Sequence, residues 1–302
     1  MLRKFFKKIY PEILRLLSKV LNINVTNVGA YRETTLCSRK GLGNWTSAMN
    51  TEFEALQRNS TCELIDLPAG ANVTYCDNSL HLCQTRYIAD LLEMNDMIDC
   101  KLAKTPGTIG KNLSKYDGEL FEDETKYRSV VGALQYVTLT RPDIAFAVKK
   151  ACQFMHSPTS AHWLSVKIIL RYLRGTMQQG LRLNSSQDLH MQAYTDADYA
   201  LTPNDRKSSS GYCVFFEDNL VCWSATKQKV VSCSSAESKY RGLAIVVAEI
   251  IWTLSLLQEL CIPQHQAPLL WFDNICSSYL VANPVFHSRS KHIEIDINFV
   301  RD

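Results

Sequence analysis

At residue 188 the hydrophobic period of this chain switches from helical to two, and no other feature of the sequence limits the fold as much. His190-Met191-Gln192-Ala193-Tyr194-Thr195-Asp196 alternates as a strand. Gly211 to Phe216 reads as a second strand. Glu217-Asp218-Asn219 is a turn, and Leu220-Val221-Cys222-Trp223-Ser224 is a third strand that pairs back as a hairpin. A long helical stripe begins at Ser234 or Ser235 and runs through Ala244, Val247, Ile251, Leu254 and Leu257 to Leu260, with Pro263 closing it. Leu269-Leu270-Trp271-Phe272-Asp273 is an unbroken apolar run suited to a buried parallel strand. Ile275 to Ala282 reads as one more helix, ended by Asn283-Pro284. The order β-β-β-α-β-α is that of a mixed α/β layer fold.

Three acids sit where an acid with only a structural role is awkward. Asp196 ends the first apolar strand, Glu237 lies one turn into the long helix, and Asp273 ends the apolar run. A carboxylate at the end of a core strand is costly unless it is paired or binds a cation. In this strand order the first and fourth strands can be neighbours, and their ends can converge with the first turn of the helix between them. Three converging carboxylates suit a hard divalent cation such as magnesium. Two such ions can activate water and steady the leaving oxygen of a phosphodiester. Each acid also has a plain alternative, because an Asp at a strand end is often a turn former. Spacing alone leaves the two readings balanced.

Upstream of residue 188 the pattern is mainly helical. Trp45, Met49, Phe53 and Leu56 recur at near-helical spacing after Asn44, and Cys62 to Leu67 is extended up to Pro68-Ala69-Gly70. A short strand holds Leu80 and Leu82, and a helix carries Tyr87, Ile88, Leu91 and Leu92. Residues 100–124 read as a polar connector. Three helices follow over 125–174, broken at Arg141-Pro142 and at Ser157-Pro158, where proline removes a backbone donor. Asp143 is placed to cap the second, Thr159 or Ser160 the third, and Gly175 ends the third. Their apolar stripes are packing faces.

Charge is uneven. Residues 1–44 hold nine Lys/Arg against two acids, so a chain of net charge +3 carries −4 over its other 258 residues. That basic head reads as a poorly specified, solvated segment rather than a nucleic-acid or membrane arm, since it repeats no basic motif. No apolar stretch of about eighteen residues and no secretory signal are apparent, which points to an intracellular, non-membrane protein. The eleven cysteines are odd in number and form no C-x-x-C pair, so disulfide and zinc scaffolds are poor readings.

Ordered blocks carry a resemblance. Tyr194-Thr195-Asp196-Ala197-Asp198-Tyr199-Ala200, Asp205 to Tyr212, Trp223 to Gln228, Ser234-Ser235-Ala236-Glu237-Ser238-Lys239-Tyr240-Arg241, Phe272-Asp273-Asn274 and Asn283 to Asp296 resemble the ribonuclease H domain of copia-type LTR-retrotransposon polyproteins. Tyr127 to Tyr136, Thr140 to Val148 and Ile169 to Thr176 resemble the connection region that follows the reverse transcriptase palm, and Trp45 to Leu67 resembles the polymerase's first helix and strand. The match covers nearly everything from residue 45 onward.

The resemblance implies a basic N-terminal segment over 1–44, a polymerase remnant over 45–78, a mainly helical palm-end and connection remnant over 79–187, and a ribonuclease H-like domain over 188–302. It places Asp196, Glu237 and Asp273 on the family's first three catalytic, metal-holding carboxylates, with Mg2+ as cofactor and an RNA–DNA hybrid as partner. It leaves the oligomeric state open. Asp198 is given only surface charge, His292 is read as structural rather than as a general base, and Asp296 is not a fourth ligand. The chain departs from the family in two ways. It holds no Tyr-x-Asp-Asp motif, so no polymerase activity is expected. It also stops at Asp302, before the family's last strand, helix and fourth carboxylate, so the expected nuclease is impaired. A catalytically inactive remnant with residual nucleic-acid affinity is the alternative. Residues 188–302 hold nine Lys/Arg against thirteen acids, which argues against tight binding to phosphates without metal.

Overall fold

The computed structural model describes residues 72–273 other than 77, 108–112, 187–189, 201, 203, 260–261, 263 and 265, and beyond them 296, 299 and 300. The elements read over residues 1–71, the helix Ile275 to Ala282 and His292 lie outside the described residues. Within them the chain is a mixed α/β structure with two sheets and five α-helices.

The smaller sheet pairs Asn72–Cys76 (β1) with Ser79–Cys83 (β2), and β2 with Leu181–Asn184 (β3), all antiparallel. Only β2 is legible in the sequence. β3 reaches β2 from about a hundred residues away, and its four residues are too few to show a period. Between β2 and β3 run Thr85–Glu93 (α1), Glu124–Val137 (α2), a 3-10 turn at Pro142–Ile144, Ala145–Cys152 (α3) and Ser160–Gly175 (α4). The stripes expected of these helices are their buried faces: Ile88, Leu91, Tyr127, Val131, Leu134, Val148, Ile169 and Leu170 form one core. The helix breaks fall at the two proline sites. Thr159 caps α4 in a reciprocal box, where the Thr159 N–H donates to His162 Nδ1 at 2.9 Å. Asp143 is a correction: it caps no helix. Its carboxylate takes both Nε (2.9 Å) and Nη2 (2.7 Å) of Arg141, because a buried guanidinium is the stronger partner.

The second sheet holds Met191–Ala197 (β4), Ser209–Phe216 (β5), Asn219–Lys227 (β6) and Leu269–Trp271 (β7) in the order β6-β5-β4-β7. β4 runs antiparallel to β5 and parallel to β7, and Ser235–Glu259 (α5) is the crossover between β6 and β7. Alternation along β4 sends Met191, Ala193 and Thr195 inward. With Val214, Met191 and Ala193 meet Val246, Ile250 and Leu257 of α5 in a second core. Trp223 Nε1 donates to the Thr138 carbonyl at 3.2 Å and ties this sheet to the end of α2.

Two expectations need correction. β7 is parallel as expected but not buried. Among the described residues it is the outermost strand of its sheet, and Leu269 and Trp271 are 46% and 52% exposed. Its apolar run serves two purposes. Leu270 faces the α5 core, while Trp271 stacks on exposed Tyr194 with ring centroids 6.4 Å apart. Among the described residues there is also one helix, Ser235–Gln258, long and apolar enough to cross a membrane by length and composition. Its apolar residues are accounted for in part by packing, since Tyr240, Leu243, Val246 and Ile250 are buried in the fold.

Candidate functional site

The parallel register pairs Gln192 with Leu269, Ala193 with Leu270 and Tyr194 with Trp271. Two residues further along each strand stand Asp196 and Asp273, at the carboxyl ends of neighbouring strands where ligands of open α/β sheets are held. Both side chains are open to solvent, at 73% and 65% exposure, and both turn to one group. Lys239 Nζ lies 3.3 Å from Asp196 Oδ1 and 2.5 Å from Asp273 Oδ1. The hydrogen bond that Lys239 donates to Asp273, with a second pull from Asp196, raises the Lys239 ammonium above the ordinary lysine range, and the same bond lowers the Asp273 carboxyl below the usual one. Asp196 Oδ1 also accepts the Ala197 N–H at 2.7 Å.

Lys239 reaches this point because of its place on α5. Residues 239, 243, 246, 250, 253 and 257 repeat at four-three spacing, and Leu243, Val246, Ile250, Thr253 and Leu257 are all buried. Lys239 is the N-terminal extension of that core stripe, at the level where the sheet ends.

Glu237 is two residues earlier, and side chains two apart on a helix do not face the same way. Its carboxylate, 3% exposed, does other work. Oε2 accepts the Cys233 N–H at 2.6 Å, while Ser234 Oγ accepts the Glu237 N–H at 3.1 Å. Oε1 accepts Arg241 Nη2 at 2.8 Å. Ser234-Ser235-Ala236-Glu237 thus behaves as a capping box at the start of α5, one residue wider than usual on the Glu side. Buried Gln228 braces the same turn, donating to Ser210 Oγ and to the Ser238 carbonyl, each at 2.7 Å.

Of the three sequence candidates, then, Asp196 and Asp273 are gathered on one lysine, and Glu237 has its oxygens committed to the helix start. Asp198 is half-buried rather than a bare surface charge. Its Oδ1 accepts the Ser209 N–H at 2.6 Å, and burial pushes its carboxyl up. Asp296 is also pushed up by burial, against the pull of Arg241 and with Glu237 adding to the rise. These donors do not fit magnesium. The cation charge between the two aspartates is already supplied by an ammonium, and among the described residues no group of three His, Cys, Asp or Glu side chains could hold a metal ion.

The residue that sequence reasoning passed over is Lys239. Two signals marked it: the four-three stripe that runs back to it, and the Ser-x-x-Glu box that gives Glu237 another task.

Relatives supply the lineage. Over 223 residues the chain is 47% identical to the retrovirus-related Pol polyprotein from transposon RE1 of Arabidopsis thaliana, covering 74% of this chain and 15% of that one. It is 41% identical over 263 residues to the corresponding polyprotein from transposon RE2 of the same plant, covering 86% and 18%. The chain belongs to the Pol polyproteins of copia-type transposons. It spans under a fifth of the length of those two members. An uncharacterized mitochondrial protein of Arabidopsis thaliana is similar at nearly full length, with 40% identity over 69% of this chain and 89% of its own. No family model matches the chain, and no solved structure matches it. This copia-type Pol fragment has two aspartates at neighbouring strand ends and a lysine between them.

Proposed function

We propose that this Pol fragment is a palm-end and connection remnant, over residues 79–187, joined to a ribonuclease H-like domain, over 188–302, in a form that does not cut. One observation carries the non-cleaving reading: Lys239 Nζ sits between Asp196 and Asp273, where hydrolysis by this lineage would need a divalent cation. The antiparallel β6-β5-β4 order, the α5 crossover and the parallel β4–β7 pair support the ribonuclease H-like reading. The ancestral activity is metal-dependent hydrolysis of RNA in an RNA–DNA hybrid, and the hybrid is the partner this surface descends from. An intracellular setting belongs to the same proposal. The seven described cysteines are free thiols, as a reducing compartment would leave them.

The test is a labelled RNA–DNA hybrid incubated with the full chain and Mg2+ or Mn2+. No cleavage above a heat-inactivated sample is expected. No primer extension is expected from this chain either, since it has no Tyr-x-Asp-Asp motif. Chelator-sensitive cleavage by the wild-type chain would sink the non-cleaving reading.

A second reading has one observation in its favour, the convergence of Asp196 and Asp273 itself. On that reading Asp196, Glu237 and Asp273 hold Mg2+ and cut the hybrid once Lys239 swings away. It requires cleavage that disappears in both Asp196→Asn and Glu237→Gln.

A further inference from the structure

We propose that Lys239 is a tethered cation that stands in for a divalent ion, and that the charge at residue 239 decides whether Asp196 and Asp273 bind one. The inference rests on the reading above in one respect, that a divalent ion is the natural ligand of this aspartate pair.

Three features of the site lead to it. The first is position. The ammonium is within hydrogen-bonding or ion-pairing reach of one oxygen from each aspartate, so it sits at their meeting point rather than beside one of them. The second is anchoring. The Lys239 side chain is only 20% exposed, although both aspartates are open to water. It rises from a helix fixed at its start by the Glu237 cap and at its stripe by Leu243 and Val246. A lysine that merely drifted to a surface acid would be as exposed as the acid. The third is charge. With lysine at 239 the three side chains sum to −1; a neutral residue there makes −2 and a glutamate −3. Hard divalent ions are held by anionic oxygen and repelled by a fixed ammonium. A glutamate at this position adds an oxygen ligand on the side of the site that α5 supplies.

The experiment titrates Mn2+ alone into the full-length chain, with no nucleic acid, by calorimetry and by the loss of the free-ion electron paramagnetic resonance signal. It compares wild type, Lys239→Met, Lys239→Glu and the double variant Lys239→Glu/Asp273→Asn. We expect Lys239→Glu to bind Mn2+ at least about ten-fold more tightly than wild type, the scale on which single shell changes alter metal affinity. Lys239→Met should fall between the two, and the double variant should lose most of the gain. Wild type binding Mn2+ as tightly as a folded Lys239→Glu overturns the proposal. If circular dichroism finds Lys239→Glu unfolded, Lys239→Met decides: tighter binding than wild type supports the proposal, and equal binding overturns it. Hybrid cleavage by the wild-type chain would remove the non-cleaving reading without altering these affinities, so the two can fail separately.

Discussion

Replacing Arg141 with methionine lowers the unfolding free energy by about 3 kcal/mol, the low end of the range for breaking a buried ion pair. Arg141 is 1% exposed, and each nitrogen of its guanidinium donates at least one hydrogen bond. Nε and Nη2 donate to the two oxygens of Asp143, Nη1 to the Thr176 carbonyl at 2.8 Å, and Nη2 to Thr176 Oγ1 at 2.7 Å. The group also lies 5.6 Å from the centre of the Tyr172 ring. Arg141 thereby ties the turn between α2 and α3 to the end of α4. Methionine fills much of the volume but strands the Asp143 carboxylate and the Thr176 carbonyl. The low end applies because Asp143 keeps 34% exposure and can recover some hydration. Urea unfolding of the two proteins measures it, and a loss under about 1 kcal/mol would refute the clamp.

The same pair sets an acid limit. Burial pushes the Asp143 carboxyl up, but the hydrogen bonds and charge of Arg141 outweigh it and hold the carboxyl below its ordinary value. A depressed carboxyl stabilises the fold above its unfolded pKa of about 4, and that contribution fades as pH falls through the folded value. Wild type should therefore lose stability on acidification below about pH 4 more steeply than Arg141→Met, which has no pair left to lose. Parallel slopes for the two proteins would contradict this.

Gly180→Ala is expected to cost about 2–3 kcal/mol, the range for forcing extra volume into a packed site. Gly180 precedes β3 and lies against β2, so a methyl group there would land on the Leu82 carbonyl oxygen, 2.9 Å from its carbon and 3.0 Å from the Cys83 Cα. Those are backbone atoms and cannot rotate aside, so β3 must move off β2. Hydrogen exchange should reveal the damage as lost protection at Leu181 and Leu183. Gly132→Ala is the opposite case. On α2 a methyl meets nothing within 4 Å, and the helix should gain up to about 1 kcal/mol. If both alanines behaved alike, the close approach at Gly180 would have no energetic meaning.

How much of this molecule could be read in advance depended on the range of the forces involved. The helices over 124–175 were legible because their stripes repeat every three or four residues and their ends are marked by Pro142, Pro158 and Gly175. The hairpin of β5 and β6 and the alternation of β4 were legible for the same reason: each signal is complete within ten residues or so. The parallel neighbour β7 was read from its unbroken apolar run and from the order of elements, which lets the first and fourth strands lie side by side.

Tertiary structure decided what local periodicity cannot hold. β3 exists because β2 offers it an edge, and four residues of Leu-Arg-Leu-Asn announce nothing alone. Trp271 and Leu269 looked buried because they are apolar, but among the described residues their strand is the outermost of the sheet, and only Leu270 between them faces the α5 core. Arg141 looked like a helix stop and is a buried clamp, since Thr176, its partner 35 residues on, is brought to it by the packing of α4. At the site the sequence suggested that three carboxylates could converge, and for Asp196 and Asp273 the reason is visible locally, because both end strands that the order of elements makes neighbours. It did not determine what meets them there. Glu237 and Lys239 lie two residues apart on one helix, and only the rotation of α5 against the sheet, set by Leu243, Val246 and Ile250, turns the ammonium to the aspartates and leaves the carboxylate to cap the helix.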